Sequence, residues 1–291
     1  MKYITVAEMD RTIRANIWKV PRDIDFVMGI PRSGVLAASL IAEYLNCPLI
    51  DKDSFCSGAK PTGGTRLRYW KPRHPQGKKK VLVVDDTVFD GRQKRKTKAE
   101  LSRFSADYEF VYMVVYLEGP ARDSIDIWLE DVSMYTNGFR EIVLYEWNIF
   151  HHNEDIMAKS IYDIDGVLCV NPPDERSGKE YLDYIADATP LFVPTAPLGG
   201  IVSYRLESNR AVTEDWLKRN GVQYRRLVLF GADSWDARNA SGISPARFKG
   251  DYYRNAAWAN LFVESDDMQA REIHLISGKP VYCVETNKMY Y

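Results

Sequence analysis

Two apolar segments that end in paired carboxylates constrain the fold of this chain more than any other feature. One reads Val-Leu-Val-Val-Asp-Asp over residues 81–86, and the other reads Ser-Ile-Tyr-Asp-Ile-Asp over residues 160–165. Glycine follows each of them, at Gly91 and Gly166. Open α/β folds place ligand and metal chemistry at the carboxyl ends of parallel strands. The two segments, one in each half of the chain, therefore predict two α/β domains with one site each.

The chain has 291 residues, enough for about two domains of roughly 150 residues each. In both halves, apolar segments alternate with amphipathic ones, which predicts two consecutive doubly wound α/β domains, each with a mainly parallel sheet. The polar sequence His-His-Asn-Glu-Asp at 151–155 separates the two patterns. We therefore predict domains over residues 1–155 and 156–291.

The spacing of apolar residues also predicts the individual elements. In the first half we expect strands at 26–30, 49–50, 81–84 and 110–116, and helices at 34–45 and 93–104. In the second half we expect strands at 160–162, 200–202, 226–230, 261–263 and 280–284, and helices at 213–220 and 268–276. The insert over residues 169–199, with one helix within 174–188, is too short for an independent cap domain.

The composition is typical of soluble globular proteins, with 45% apolar and 27% charged residues. A net charge of −1 argues against a general attraction to nucleic acid or to membranes. The four cysteines lack metal-ligand spacing, residues 1–6 lack the apolar core of a signal peptide, and no run approaches the ~18 apolar residues of a membrane span. We therefore expect a cytoplasmic protein with free thiols.

Charge is distributed unevenly within the first half. No acid occurs between Asp53 and Asp85. The charged residues of this interval are all basic: Lys60, Arg66, Arg68, Lys71, Arg73, Lys78, Lys79 and Lys80. Two interpretations stay open, a solvated surface loop and a loop that closes over a polyphosphate.

The first half resembles the type I phosphoribosyltransferases over about residues 1–150. Residues 81–92 look like the diphosphate-sugar binding motif of that family, and Met-Gly-Ile-Pro-Arg-Ser-Gly at 28–34 looks like its pyrophosphate loop. The basic segment at 54–80 lies where the family has its flexible catalytic loop. The resemblance implies a transferase that uses phosphoribosyl diphosphate together with Mg²⁺.

The chemistry of that substrate suits these residue types. Asp85 and Asp86 can accept hydrogen bonds from both ribose hydroxyls, and N–H groups at the start of a helix can bind the 5′-phosphate. The turn at 30–34 can surround the diphosphate, while Arg66 or Arg68 can neutralise it as it leaves. Mg²⁺ would bridge diphosphate and ribose oxygens. The residues predicted to bind phosphoribosyl diphosphate are Ile30, Pro31, Arg32, Ser33, Gly34, Arg66, Arg68, Asp85, Asp86, Thr87, Val88, Phe89, Asp90, Gly91, Arg92 and Gln93.

The phosphate turn departs from the family pattern at two positions. Asp90 and Gln93 stand where the family has hydroxyl side chains. A carboxylate beside a phosphate is repulsive unless a cation neutralises it. The nearby cations are Arg92, Lys94, Arg95 and Lys96. Either the turn binds phosphate with altered chemistry, or this half no longer catalyses the family reaction.

The second half resembles the haloacid dehalogenase (HAD) superfamily over about residues 156–291. Asp-Ile-Asp-Gly at 163–166 matches its first motif, and Ile-Val-Ser-Tyr-Arg at 201–205 matches its second. Lys249 suits the third motif, and Phe-Val-Glu-Ser-Asp-Asp at 262–267 matches the fourth. The resemblance implies a phosphatase of the Rossmann-like HAD fold with a minimal cap.

The resemblance also implies a role for each of these residues. Asp163 would attack phosphorus and form an aspartyl-phosphate. Asp165 would protonate the leaving oxygen and later activate water. Ser203 would hydrogen-bond to the phosphoryl oxygens, and Lys249 would screen the nucleophile and the phosphate. Mg²⁺ would be held by Asp163, by the backbone carbonyl of Asp165 and by an acid among Glu264, Asp266 and Asp267, of which we favour Glu264 and Asp266.

Three functions are compatible with these patterns. We favour a bifunctional enzyme of nucleotide metabolism that transfers a phosphoribosyl group to a base-like acceptor and also removes a phosphate. The second is a nucleotide-sensing or effector protein, whose first half binds without turnover and whose second half is a phosphatase. The third is a nucleic-acid end-processing phosphatase, against which the neutral overall charge weighs. We expect phosphoribosyl diphosphate or a nucleotide as small-molecule partner, no membrane association, and a homo-oligomer.

Overall fold

The computed structural model describes residues 1–133, 135–136, 139–140, 142–150, 154–172 and 178–291. The side chains of residues 66, 135–136, 139–140 and 154–155 lie outside this description. The chain divides into two compact units, Lys2–Val143 and Leu144–Tyr291. This division falls earlier in the chain than the predicted boundary at 155/156. The predicted boundary lies at the end of the polar sequence 151–155, whose first three residues are outside the described part.

The first unit contains a five-stranded sheet in the order β3-β2-β4-β5-β6, with all neighbouring strands parallel. Its central strand carries the apolar run Val81–Val84, which is buried because covering helices leave neither face of such a sheet to solvent. The strands up to the unit boundary are β1 Lys2–Ile4, β2 Phe26–Gly29, β3 Leu49–Asp51, β4 Lys79–Val88, β5 Tyr108–Leu117, β6 Ile127–Asp131, β7 Tyr135–Thr136, β8 Phe139–Arg140 and β9 Val143–Tyr145. The helices are α1 Val6–Asn16, α2 Ser33–Leu45, α3 Lys52–Cys56 and α4 Arg92–Leu101.

The second unit contains a six-stranded sheet in the order β12-β11-β10-β13-β14-β15, in which only the last pair is antiparallel. Its strands are β10 Ser160–Tyr162, β11 Gly200–Leu206, β12 Leu227–Phe230, β13 Leu261–Glu264, β14 Val281–Cys283 and β15 Lys288–Tyr290. Its helices are α5 Glu154–Met157, α6 Gly178–Asp187, α7 Arg210–Arg219, α8 Trp235–Ala240, α9 Pro245–Asn255 and α10 Asp267–Ser277. The predicted mainly parallel α/β architecture is confirmed, although the antiparallel strand β15 and the helices α5, α8 and α9 were not predicted.

The predicted elements are observed close to their predicted bounds, whereas β1, α1, α3 and β6 of the first unit had no counterpart among the predictions. Helix α2 begins one residue before its predicted start, and α4 ends at Leu101 rather than 104. Of the helix predicted within 174–188, residues 174–177 lie outside the described part, and α6 begins at Gly178. No described helix is both long and apolar enough to cross a membrane.

The register of the second sheet determines where its polar strand ends lie. Tyr162 of β10 pairs with Val263 of β13, and Ile161 pairs with Gly200 of β11. Because these strands are parallel, the residues that follow Tyr162 and Val263 lie at the same edge of the sheet. The fold therefore brings the first and fourth motifs of the second half together.

The residues that precede the predicted boundary contribute to the core of the second unit. Phe150 stacks on Phe192 with ring centroids 4.7 Å apart and also contacts Tyr162. The Tyr162 hydroxyl donates a hydrogen bond to the carbonyl of Ile149 at 2.9 Å. We therefore expect a fragment of residues 144–291 to unfold cooperatively.

A fragment of residues 156–291 should be less stable by at least about 3 kcal/mol, because burial of each large apolar side chain contributes roughly 1.5–3 kcal/mol and two are lost. Urea denaturation followed by tryptophan fluorescence measures both fragments. Equal stability of the two would show that Ile149 and Phe150 contribute nothing to this core.

Candidate active sites

In the first unit, the turn after β2 lies directly against the acid pair at the end of β4. The N–H of Ile30 donates to the carbonyl of Val84 at 2.9 Å. A Cβ atom added to Gly34 would lie 2.8 Å from that carbonyl oxygen and 2.9 Å from Oδ1 of Asp85. The peptide bond between Pro31 and Arg32 is cis. Only glycine permits this close approach of the start of α2 to Asp85.

The acid pair is electrostatically strained. The N–H of Asp86 donates to Oδ1 of Asp85 at 3.1 Å. Burial, together with the neighbouring Asp86 carboxyl, raises the pKa of Asp85 well above its usual range. A ligand that brings hydroxyl donors or a cation to the pair would relieve this strain.

A cleft of about 420 Å³ lies beside this pair. Its lining includes the predicted residues Ile30, Asp85, Thr87, Val88, Phe89, Asp90, Gly91, Arg92 and Gln93. The predicted residues Pro31, Arg32, Ser33, Gly34, Arg68 and Asp86 do not line it. The guanidinium of Arg68 packs over the ring of Tyr69 at 4.7 Å, and the side chain of Arg66 lies outside the described part. The structure therefore groups the phosphate turn with Asp85 but does not bring Arg68 to it.

The Asp90 carboxylate binds both the backbone and the side chain of the first residue of α4, Arg92. Its Oδ1 accepts the backbone N–H of Arg92 at 2.9 Å, and its Oδ2 pairs with Nε of Arg92 at 2.8 Å. Arg95 donates to the backbone carbonyl of Asp90 at 2.9 Å, and Lys94 lies over the ring of Tyr112. The Asp90 carboxylate thus binds a backbone donor that a phosphate at this turn would otherwise use.

Asp25, which the sequence patterns did not single out, holds one end of the basic segment. Its buried carboxylate accepts backbone N–H groups of Arg73 at 2.5 Å, His74 at 3.1 Å and Lys80 at 2.8 Å, and contacts Nδ1 of His74 at 2.8 Å. Burial by itself would raise the pKa of Asp25, but these hydrogen bonds outweigh it and lower the pKa. The segment is therefore attached to the sheet just before β4 begins.

In the second unit, the predicted catalytic residues line one cavity of about 1180 Å³. The cavity lies at the carboxyl edge of the sheet, and its lining includes Asp163, Asp165, Ser203, Lys249 and Asp266. Ser203 and Lys249 are only 1% and 2% exposed, so neither is an ordinary surface side chain. The structure therefore brings together all four residues to which the sequence assigned catalysis.

A buried ion cluster lies at the base of this cavity. Nζ of Lys249 is 2.6 Å from Oδ2 of Asp163, 2.7 Å from Oε2 of Glu264 and 3.1 Å from Oε1 of Gln269. Burial would lower the pKa of Lys249, but the two carboxylates outweigh it and raise the pKa. Lysine 249 therefore remains charged and holds two acids from neighbouring strands in one place.

The Asp165 carboxylate forms an ion pair with a different cation, Arg205. Arg205 contacts it through Nη2 at 2.5 Å and through Nε at 3.2 Å, and the Tyr184 hydroxyl donates to it at 2.8 Å. Burial would raise the pKa of Asp165, but Arg205 and these hydrogen bonds lower it. In this geometry Asp165 is ionised, so it must take up a proton before it can serve as an acid.

The predicted metal ligands differ in their surroundings. Oε1 of Glu264 accepts the N–H of Ser265 at 2.8 Å, and the Ser265 hydroxyl donates to the backbone carbonyl of Asp165 at 3.1 Å. Asp163, Glu264 and that carbonyl are hard oxygen donors of the kind that Mg²⁺ prefers, so their chemistry fits the ion. Within the described ranges, however, no three acidic, histidine or cysteine side chains are arranged to hold a metal.

The other two acids of the fourth motif have structural partners. Asp266 accepts the N–H of Gln269 at 2.8 Å and thereby caps α10. Asp267 accepts hydrogen bonds from Thr286 at 2.8 Å and from Tyr290 at 2.6 Å, and it does not line the cavity. Glu264 is therefore the acid of this motif that the structure places beside Asp163.

Sequence reasoning missed several residues that line this cavity or contact its lining. The sequence does contain a signal for Arg205, because this residue follows Ser203 by two positions on the same strand and so faces the same side. It contains no signal for Tyr184 or Arg238, since each reaches the site from a helix whose position depends on tertiary packing. Both lie close to the Asp165–Arg205 pair or to its neighbour Tyr204.

Comparisons with known proteins concern only part of the chain. No protein-family model and no curated protein matches it. Among solved structures, it is similar to a purine phosphoribosyltransferase from Pyrococcus horikoshii, at 18% identity and a TM-score of 0.36, over 50% of this chain and 93% of that one. It is also similar to the xanthine-guanine-hypoxanthine phosphoribosyltransferase of Helicobacter pylori, at 14% identity and a TM-score of 0.37, over 51% and 93%. A hypothetical protein from Neisseria gonorrhoeae with bound ppGpp is similar at 17% identity and a TM-score of 0.34, over 50% and 89%.

The ion cluster yields a prediction about stability. Lys249→Met should lower the free energy of unfolding by about 3–5 kcal/mol, because it leaves Asp163 and Glu264 buried together without their cation. Arg247→Gln is the matched control on the same helix, because Arg247 forms an exposed pair with Asp251 and should contribute less than about 1 kcal/mol. Urea denaturation measures both, and similar small losses would contradict the central role of Lys249.

Proposed function

We propose that this chain is a bifunctional enzyme of nucleotide metabolism. Its second unit would hydrolyse phosphate monoesters through an aspartyl-phosphate on Asp163, and its first unit would transfer a phosphoribosyl group from phosphoribosyl diphosphate. The observation that carries the proposal is the convergence of Asp163, Asp165, Ser203 and Lys249 on one cavity at a sheet edge.

The charges of the second unit would support an in-line attack on phosphorus. An Asp163 oxygen would form the new bond to phosphorus while the bond from phosphorus to the leaving oxygen breaks. The Ser203 hydroxyl would donate to a phosphoryl oxygen, and Lys249 would hold Asp163 in position. Mg²⁺, bound by Asp163, Glu264 and the Asp165 carbonyl, would offset the negative charge of the phosphoryl group.

Asp165 would serve the second half of that reaction. Because Arg205 keeps its carboxylate ionised, Asp165 is prepared to take a proton from the water that hydrolyses the aspartyl-phosphate. Donation of a proton to the leaving oxygen in the first step requires Asp165 to separate from Arg205. An activated ester, whose leaving group needs no proton, is therefore the most sensitive first substrate.

Asp163→Asn should lower the rate of p-nitrophenyl phosphate hydrolysis in Mg²⁺ by at least about a thousandfold, as expected when a nucleophile is removed. Asp165→Asn should lose most turnover while still trapping phosphate on the protein, which intact-mass spectrometry detects. Asp251→Asn, an exposed acid on α9, is the control. Near wild-type turnover by Asp163→Asn would eliminate Asp163 as the nucleophile.

The first unit would bind the ribose and the diphosphate of phosphoribosyl diphosphate. The acid pair at Asp85 and Asp86 would accept the ribose hydroxyls, and the turn at 30–34 against it would surround the diphosphate. Bond cleavage at the anomeric carbon releases diphosphate and leaves a positively charged sugar, so catalysis would consist mainly of positioning and charge stabilisation. The raised pKa of Asp85 supports a ligand that supplies hydroxyl donors and Mg²⁺ at this place.

A second candidate is favoured by the geometry of Asp90. Its carboxylate already accepts the Arg92 N–H and pairs with the Arg92 side chain. A phosphate at the same turn would have to displace it. Under this alternative, the first unit binds a nucleotide or phosphoribosyl ligand as a sensor without turnover, and the phosphatase unit is the only enzyme.

One titration series separates these two functions. Asp85→Ala combined with Asp86→Ala should abolish binding of phosphoribosyl diphosphate in Mg²⁺, as measured by calorimetry. Asp90→Thr removes a charge beside the phosphate turn, and at ~4–5 Å such a charge repels another by a few kcal/mol at a surface-like dielectric. Tighter binding by Asp90→Thr, without turnover in either protein, favours the sensor.

Loss of a measurable wild-type transfer rate in Asp90→Thr favours the transferase. The turnover assay supplies a panel of bases and identifies products by mass spectrometry. Absence of binding by the wild type would eliminate phosphoribosyl diphosphate as a ligand of the first unit.

A further inference from the structure

Two buried arginines in the second unit each have a nitrogen without a partner. Arg205 is 1% exposed and Arg238 is 4% exposed. Nη1 of Arg205 and Nε of Arg238 form no hydrogen bond within the part of the chain that the structure describes. Both residues line the cavity that contains Asp163. A buried charged donor without an acceptor is costly, and an anionic group that entered the cavity and drew either guanidinium toward it would offset that cost.

Helix α8, which carries Arg238, buries a charged residue and exposes an apolar one, the reverse of an ordinary surface helix. Arg238 is the one buried residue of α8, whereas Trp235 on the same helix is 42% exposed. Nη1 of Arg238 donates to the backbone carbonyl of Tyr204 at 3.0 Å, and its guanidinium lies 4.9 Å from the Tyr204 ring centroid. An amphipathic helix normally buries its apolar residues. Here α8 directs a charge into the cavity instead.

The two arginines differ in how their charge is balanced. Arg205 uses Nε and Nη2 to bind Asp165, so its charge is paired although Nη1 is not. For Arg238, no described carboxylate lies within ion-pair distance. Water or another neutral acceptor would satisfy the vacant donors but would leave the charge of Arg238 uncompensated. An anionic group satisfies both requirements.

We propose that Arg205 and Arg238 bind a second anionic group of the substrate, distinct from the phosphoryl group that Asp163 attacks. The substrate class is then phosphate esters that carry a further phosphate or carboxylate. This inference rests on the proposed phosphatase function of the second unit. Arg205 would share its guanidinium between Asp165 and the anion, and Arg238 would supply the unbalanced positive charge.

Binding of non-hydrolysable phosphonates to the full chain tests the proposal. Asp85→Ala with Asp86→Ala forms the background, so that the first unit does not contribute. Calorimetry in Mg²⁺ compares methylphosphonate with ethylenediphosphonate and phosphonoacetate, whose second groups are a phosphonate and a carboxylate. At least one of the two probes with a second anionic group should bind at least tenfold more tightly than methylphosphonate, and the better of them identifies the second group.

Arg238→Gln should reduce that advantage to less than threefold, and Arg205→Lys should also reduce it. At this position we choose lysine rather than glutamine, because Arg205→Lys keeps a positive charge beside Asp165 and so protects the fold. Arg247→Gln, an exposed arginine outside the cavity, should retain the full advantage. Equal binding of the three probes by the background protein, or an undiminished advantage in Arg238→Gln, overturns the proposal.

The p-nitrophenyl phosphate assay separates this inference from the function on which it rests. Hydrolysis of that ester, which has no second anionic group, without discrimination among the phosphonates supports the phosphatase and eliminates the second anion site. Discrimination that depends on Arg238, without hydrolysis of any ester, retains the anion site and eliminates the phosphatase.

Discussion

The second unit depends on one buried lysine between two buried carboxylates. Lys249 reaches from α9 to Asp163 after β10 and to Glu264 at the end of β13, with both oxygens within 2.7 Å. Parallel strands bring the two acids to one edge, where neither could remain charged and buried without a shared cation. The same contact fixes α9 against the sheet. The position of Asp163, the attachment of α9 and the local charge balance therefore depend on the same contact.

The two acid pairs that dominate the sequence differ in how their negative charge is balanced. In the second unit, Lys249 opposes Asp163 and Arg205 opposes Asp165, so the protein itself supplies the positive charge. In the first unit, burial and the neighbouring Asp86 raise the pKa of Asp85. The two segments look alike as sequence, but in the second unit a basic side chain lies beside each acid, although burial still raises the pKa of Asp163 to about 7.

Much of the architecture could be predicted because buried parallel strands are continuous apolar runs. Residues 81–84 and 261–263 lie in strands, and the acids that follow them lie at the sheet edges, as periodicity and strand direction require. What the sequence could not predict were contacts between distant segments. Asp267 was a candidate metal ligand, but it binds Thr286 and Tyr290 around the unpredicted strand β15. Arg238 was overlooked because a short helix with a tryptophan gives no sign that its arginine points inward.

The basic segment of the first unit is held at two places, and this limits how far it can extend. Leu49 and Thr62 exchange backbone hydrogen bonds at 2.8 and 3.0 Å, and Asp25 holds residues 73 and 74, so only residues 63–72 lie between the attachments. A chain held at both ends reaches about half its contour, here about 17 Å at ~3.4 Å per residue. Both attachments lie at the amino edge of the sheet, and β4 needs about the same length to run from Lys80 to Asp85. The backbone at residues 66–68 therefore comes level with Asp85 only with this segment almost straight, without the turn at Thr65–Leu67.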